Sequence, residues 1–98
     1  MITFGVKHND GRDIWLEARV VVDAPYAVDR EREAKRRVCD ALGAAAAMFP
    51  PEWPRALCDW CRFERWGSDG YFVVRMPAAM GRHVLAMQED VVLQEAAS

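Results

Sequence analysis

The fold is decided by residues 2–22, which read ITFGVKHNDGRDIWLEARVVV. Apolar and polar side chains alternate on both sides of residues 9–13, and a period of two is typical of strands with one buried face. The central residues are rich in Asn, Asp and Gly, which favour a reversal of the chain. The sequence therefore predicts a β-hairpin whose core face carries Ile2, Phe4, Val6, Leu16, Ala18, Val20 and Val22.

The length of the hairpin loop follows from the same alternation. A slip of one residue in register would move every side chain of a strand to the other face. A two-residue turn would pair apolar residues of one strand with polar residues of the other, whereas a loop with an odd number of residues pairs apolar residues with each other. We therefore predict a loop of three or five residues, which gives the pairs Val6–Leu16, Phe4–Ala18 and Ile2–Val20.

A long helix is predicted after this hairpin. Either Asp23 with Pro25, or Asp29 one turn later, suits its start. Charged residues occupy most of the other positions, and Pro50-Pro51 ends the helix because proline has no N–H to donate. Its buried stripe recurs at helical spacing and consists of Ala34, Val38, Leu42, Ala45 and Phe49.

A second hairpin is predicted where residues 57–66 and 71–76 flank the turn sequence Gly67-Ser68-Asp69-Gly70. A four-residue loop gives the pairs Trp66–Tyr71, Glu64–Val73, Phe63–Val74 and Arg62–Arg75. The core face of this hairpin would then carry Leu57, Cys61, Phe63, Phe72, Val74 and Met76.

The C-terminal segment fits two structures. Met80, Val84, Met87 and Val91 lie at helical spacing and favour a helix over about residues 78–88. The alternative is two short strands, 82–88 and 91–95. The expected fold class is therefore α+β: one domain over residues 1–98, with an antiparallel sheet of two β-hairpins flanking one long helix (ββαββ), plus a C-terminal helix or short strands.

Composition narrows the functional classes. The 98 residues are 52% hydrophobic and 29% charged, and the net charge is -2. A general nucleic-acid-binding protein usually has a basic excess, so this balance argues against one. No leader or membrane-spanning stretch is visible, and three cysteines are an odd number for a disulfide scaffold. We expect a cytoplasmic protein with reduced thiols and no membrane partner, and its richness in Ala and Arg suggests a bacterial or phage source.

The most motif-like stretch is Cys58-Asp59-Trp60-Cys61. A Cys-x-x-Cys pair can bind zinc or exchange thiols, but a zinc site needs four ligands, and only Cys39, His8 and His83 remain to complete one. On a strand, residues three apart point to opposite faces. We therefore predict no metal site. The sequence also shows no catalytic constellation and no glycine-rich phosphate loop, so we expect no catalysis and no cofactor.

The outward face of the second hairpin is the predicted contact surface. Trp, Tyr and Arg are the residue types enriched at binding hot spots. The alternative is that the C-terminal element covers these rings, which would make both faces core. The predicted partner-binding residues are Trp60, Arg62, Glu64, Trp66, Tyr71 and Arg75. A secondary contact is predicted on the helix at Arg30, Arg32, Arg36 and Arg37.

These features favour a small non-catalytic protein that acts by binding another protein. A concrete version is a stoichiometric inhibitor from a phage or mobile element, of the anti-CRISPR type of anti-defence protein. One alternative is a nucleic-acid-binding accessory protein that uses its Arg-rich helix. Another is a homo-oligomeric structural or adaptor protein, such as a homodimer formed through the aromatic face.

Overall fold

A computed structural model describes residues 2–97, and the side chains of residues 2–88. Its four strands form one antiparallel sheet in the order β1-β2-β4-β3. The predicted α+β architecture is confirmed, with two hairpins on either side of a long helix and a helix at the C-terminus. The elements are β1 (Gly5–Asn9), β2 (Asp13–Arg19), α1 (Ala27–Ala46), α2 (Leu57–Trp60), β3 (Arg62–Arg65), β4 (Tyr71–Pro77) and α3 (Ala78–Ala97).

The first hairpin has the predicted register only at the end away from its turn, and three residues separate its two strands. Val6 pairs with Leu16, and the ladder ends at Gly5, one residue short of the predicted Phe4–Ala18 pair. A bulge lies between Val6 and His8, so that residues nearer the turn are shifted by one. The backbone of Phe4 is bonded to α3: its N–H donates to Gln88 Oε1 at 2.9 Å, and its carbonyl accepts from Gln88 Nε2 at 2.7 Å.

The prediction of a strand over residues 57–66 is wrong for its first four residues, which form the helical turn α2. The amide of Cys61 donates to the Leu57 carbonyl at 2.9 Å and closes this turn. Leu57, Trp60 and Cys61 lie at the spacing i, i+3, i+4, which is that of a helix and not of a strand. The turn therefore directs Trp60 into the core, where only 4% of the residue is exposed.

The second hairpin follows the predicted register at one end only. Arg62 pairs with Arg75, and the next pair is as predicted, but a bulge at Glu64 places Arg65 opposite Val73. The predicted pairs Glu64–Val73 and Trp66–Tyr71 are therefore wrong. An extra residue in one strand reverses the faces of all that follow it, and a pattern of alternation does not reveal where such a residue sits.

One face of the sheet packs against both long helices. The predicted stripe is buried, although its last residue, Phe49, lies beyond the end of α1 at Ala46. Residues of α3 join the same cluster, including Met80 and Val84. The helix α3 lies close to β2 at Gly81, where an added Cβ would collide with the side chain of Ile14. The sheet contributes Ile14, Leu16, Ala18, Phe72, Val74 and Met76 to this core. The opposite face is the one that remains for contacts with other molecules.

Candidate functional site

The sheet face that points away from α1 and α3 is named the open face here. On β2 and β4 it carries the residues that alternate with the core, and the edge strands β1 and β3 extend it on both sides. The C-terminal helix packs on the other face, with Met80 and Val84 in the core. The side chains of α3 that the structure describes, up to Gln88, therefore do not cover this surface. The open face consists of Lys7, His8, Asp13, Trp15, Glu17, Arg19, Arg62, Glu64, Arg65, Tyr71, Val73 and Arg75.

Four of the six predicted contact residues lie on the open face: Arg62, Glu64, Tyr71 and Arg75. The other two were placed wrongly. Trp60 belongs to the core, where its ring packs against Phe49 at 4.9 Å between centroids. Among the described residues, the indole Nε1 of Trp60 has no hydrogen-bond partner. Packing of the Trp60 ring, and not a hydrogen bond, therefore holds this side chain in the core.

The second misplaced residue is Trp66, which lies on the helix side of the sheet. Its ring is 5.7 Å from that of Phe63, which belongs to the core side of β3. The ammonium of Lys35, on α1, lies 3.1 Å from the Trp66 ring centroid. The bulge at Glu64 turns the chain in this direction. Although Trp66 is 40% exposed, it belongs to a different surface from Tyr71.

The like charges of Arg62 and Arg75 face each other across β3 and β4, as predicted. Their repulsion is relieved within the chain. Arg75 donates to Asp13 Oδ2 from Nε at 3.0 Å and from Nη2 at 2.7 Å. A longer contact of 3.9 Å joins Arg75 Nη1 to Glu64 Oε1. These contacts fix the guanidinium, whose Cζ is 5.2 Å from the ring centroid of Trp15.

Trp15 is the aromatic residue that the sequence reasoning missed. It pairs with Arg75 on β4 and with His8 on β1, and the His8 and Trp15 rings are 5.0 Å apart at an angle of 50°. The signal was present, because Trp15 alternates with the core residue Leu16. An aromatic ring fixed between a cation and an imidazole presents a rigid contact that loses little side-chain entropy on binding.

Tyr71 forms a second aromatic centre on the open face. Its hydroxyl donates to Glu17 Oε2 at 2.6 Å, and this bond to a carboxylate raises the pKa of the Tyr71 phenol above its ordinary value of 10.0. Three cations surround the ring, with distances to its centroid of 5.0 Å for Arg65, 5.4 Å for Arg19 and 5.9 Å for Lys7. The phenol is thus neutral and held in one orientation at physiological pH.

A shallow groove lies beside Trp15 on the open face. It has a volume of about 340 Å³ and is lined by Lys7, His8, Trp15, Glu64, Arg65 and Val73. Val73 is only 3% exposed although it faces away from the core, so the neighbouring long side chains already cover it. A partner that enters this groove would meet the Trp15 ring and the charged side chains around it.

The open face differs in charge from the remainder of the chain. It contains five Lys and Arg side chains and three carboxylates, a net charge of +2. The complete chain has a net charge of -2, so its other residues together carry -4. Such separation of charge orients an approaching partner, and it favours an acidic surface opposite the open face.

Three of the four predicted contact arginines of α1 bond to groups of their own chain segment. Arg36 bonds to Glu33 at 2.6 Å and to Asp40 at 2.8 Å, while Arg37 contacts the same Glu33 at 3.1 Å. The hydrogen bonds that Arg36 and Arg37 donate to Glu33 lower the pKa of this carboxyl to about 2. Arg30 donates to the Ala24 carbonyl at 2.7 Å. Of the predicted secondary contacts, three are therefore tied to neighbouring groups, and Arg32 is exposed.

The strand predicted for Cys58 is wrong, because Cys58 lies in the helical turn α2, whereas Cys61 follows that turn with an extended backbone. Cys58 is exposed and Cys61 is buried. The third thiol, Cys39, is half-buried on α1. Among residues 2–88, no group of three or more His, Cys, Asp or Glu side chains is placed to hold a metal ion. None of the described helices is long and apolar enough to span a membrane.

Comparisons with protein-family models, with curated proteins and with solved structures give no match for this chain.

Proposed function

We propose that the chain is a non-catalytic domain that binds an acidic surface of another protein through its open face. The observation that carries the proposal is the uncovered sheet face itself, with Trp15 and Tyr71 fixed among cations and a net charge of +2. Interface hot spots combine aromatic and Arg side chains in this way. An inhibitor that blocks a bacterial defence enzyme is the concrete version that we favour.

Binding of nucleic acid is the second candidate, and the charges argue against it. Three carboxylates, Asp13, Glu17 and Glu64, lie between the cations of the open face, where they would repel a phosphate backbone. On the Arg-rich helix, Arg36 and Arg37 are neutralised by Glu33 and Asp40. A protein surface can present cations and carboxylates that match this mixed pattern, whereas a nucleic-acid strand cannot.

A symmetric homodimer through the open face is the third candidate. In a two-fold interface each face meets a copy of itself, so two surfaces of charge +2 would be brought together. Like charges placed opposite each other across an interface oppose association. The charge balance of the open face therefore favours a partner of different composition.

The proposal is tested with two variants that each reverse the charge of one arginine, on two different faces of the protein. Arg19→Glu changes an exposed residue of the open face, and Arg32→Glu changes an exposed residue of α1, so that both variants shift the net charge equally. We expect the immobilised wild-type chain to retain an acidic protein from a nuclease-treated lysate of its source organism. Arg19→Glu should weaken this retention about tenfold or more, whereas Arg32→Glu should leave it nearly unchanged.

The purified partner then allows a titration by calorimetry with the same two variants. Equal affinities of the wild type and Arg19→Glu, or a loss confined to Arg32→Glu, would contradict the assignment of the open face. Retention from an untreated lysate that is lost when the lysate is treated with nuclease would instead favour the nucleic-acid alternative.

A further inference from the structure

The three carboxylates of the open face are all engaged within the chain. Asp13 accepts two hydrogen bonds from Arg75, at 3.0 Å and 2.7 Å, and Glu64 lies 3.9 Å from another nitrogen of the same guanidinium. Glu17 accepts a hydrogen bond from the Tyr71 hydroxyl at 2.6 Å. These three acidic groups therefore already have partners before any other molecule binds.

Four of the five cations of the open face have partners in the chain as well. Lys7, Arg19 and Arg65 lie over the ring of Tyr71, at 5.9 Å, 5.4 Å and 5.0 Å from its centroid. Arg75 is the fourth, and it contacts two of the carboxylates of this face. These contacts within the chain compete with any contact that the four side chains could make to another molecule.

Arg62 is the fifth cation, and its surroundings are different. It is exposed, and the residue opposite it across β3 and β4 is Arg75, which carries the same charge. Among residues 2–88, Arg62 forms no ion pair with a carboxylate and does not lie over an aromatic ring. A guanidinium presents five N–H donors in a planar fork that matches a carboxylate. The fork of Arg62 is therefore available to a group from another molecule.

A cavity of about 270 Å³ lies beside Arg62 at this end of the sheet. Its lining includes the Asp13–Arg75 ion pair and Asp59 of α2. Asp59 is exposed and carries a negative charge into the lining, so the cavity disfavours a group with several negative charges, such as a phosphate chain. The surroundings of Arg62 therefore suit a single carboxylate.

We propose that Arg62 is the specificity-determining residue of the open face, and that an Asp or Glu side chain of the partner protein binds its guanidinium beside this cavity. The inference rests on the proposed function and names the contact that the partner must supply. Such a carboxylate would accept two N–H bonds and would neutralise Arg62 itself, whereas Asp13 and Glu64 contact only Arg75. A neutral amide of the same shape would provide neither effect.

The contact is tested by titration of the protein captured with the wild-type chain, using two variants that each remove one positive charge from the open face. Arg62→Gln removes the unpaired cation, whereas Arg65→Gln removes one that lies over Tyr71 and 3.6 Å from Asp69. We expect Arg62→Gln to weaken the affinity about tenfold or more, because it removes hydrogen bonds to a charged group. Arg65→Gln should weaken it about threefold or less, through the net charge alone. Equal losses in the two variants would overturn the proposal.

Arg62→Lys allows the contact to be trapped covalently. A water-soluble carbodiimide joins a lysine amine to a carboxylate that touches it, and mass spectrometry of the digested complex identifies the two joined peptides. We expect a link from position 62 to an Asp or Glu of the captured protein, and no such link from Arg32→Lys on α1. A link from position 62 only to Asp59 or another carboxylate of its own chain, or no link to the captured protein, would contradict the assignment.

The outcomes also separate this inference from the proposed function. If Arg62→Gln binds as the wild type does while Arg19→Glu weakens binding, the open face is the interface but Arg62 does not determine its specificity, which overturns this inference alone. If neither variant weakens binding, or if the wild-type chain retains no protein, both proposals are contradicted.

Discussion

Replacement of Trp60 by alanine is expected to lower the free energy of unfolding by about 3–5 kcal/mol, the range found when a buried large aromatic residue is truncated. Only 4% of Trp60 is exposed, and its ring packs against Phe49 at 4.9 Å between centroids. The one-turn helix α2 has four residues, so it has few other contacts to hold it against the core. Chemical denaturation followed by circular dichroism measures the change.

The matched control is Trp66→Ala, which removes the same side chain from a surface position. Trp66 is 40% exposed, and its ring contacts the ring of Phe63 and the ammonium of Lys35. We expect a loss of about 1 kcal/mol, the scale of an exposed cation–π contact. Equal losses in the two variants would show that Trp60 is not the core residue described above.

The second large effect is expected at Gly70. Its φ angle is +74°, and an added Cβ would collide with the backbone carbonyl of Val20. Val20 cannot move away easily, because its amide donates a hydrogen bond to the Gly70 carbonyl at 2.8 Å. Gly70→Ala combines left-handed backbone strain of about 1–2 kcal/mol with overpacking of about 1–3 kcal/mol, so we expect a loss of about 3 kcal/mol.

Gly11→Ala separates these two contributions. Gly11 has a φ angle of +90°, but no atom lies within 4 Å of an added Cβ. Only the backbone strain applies there, and the expected loss is about 1–2 kcal/mol. Denaturation of both variants in the same buffer gives the comparison. A loss at Gly11 that equals or exceeds the loss at Gly70 would contradict the close contact between Gly70 and Val20.

The fold was largely predictable because most of the core follows regular periods. Alternation in β2 and β4 and the 3.6-residue period of α1 each identified residues that the structure buries, among them Leu16, Leu42 and Phe72. The wrong predictions fall where the regular alternation of a strand is interrupted, by an extra residue or by a short helical turn. The bulge at Glu64 moved Trp66 to the helix side, and the short helical spacing at residues 57–61 was hidden inside an apolar stretch that also fits a strand.

The site was only partly predictable because it combines residues of β2, from the first hairpin, with residues of β4, from the second hairpin. Arg62, Tyr71 and Arg75 were identified within their own hairpin, where the turn fixes the register. The contribution of Trp15 depends on the pairing of β2 with β4, which are separated by the long helix α1. No local pattern specifies that pairing, so the ion pair between Asp13 and Arg75 was also beyond sequence reasoning.

The most direct test of the central claim is photo-crosslinking from within the complex. Tyr71→p-benzoylphenylalanine places a reactive aromatic group on the open face, and Arg32→p-benzoylphenylalanine places the same group on the exposed side of α1. On irradiation with the captured partner, we expect a covalent adduct to an acidic protein from position 71 and none from position 32. An adduct formed only from position 32, or an adduct to nucleic acid in place of protein, would contradict the account.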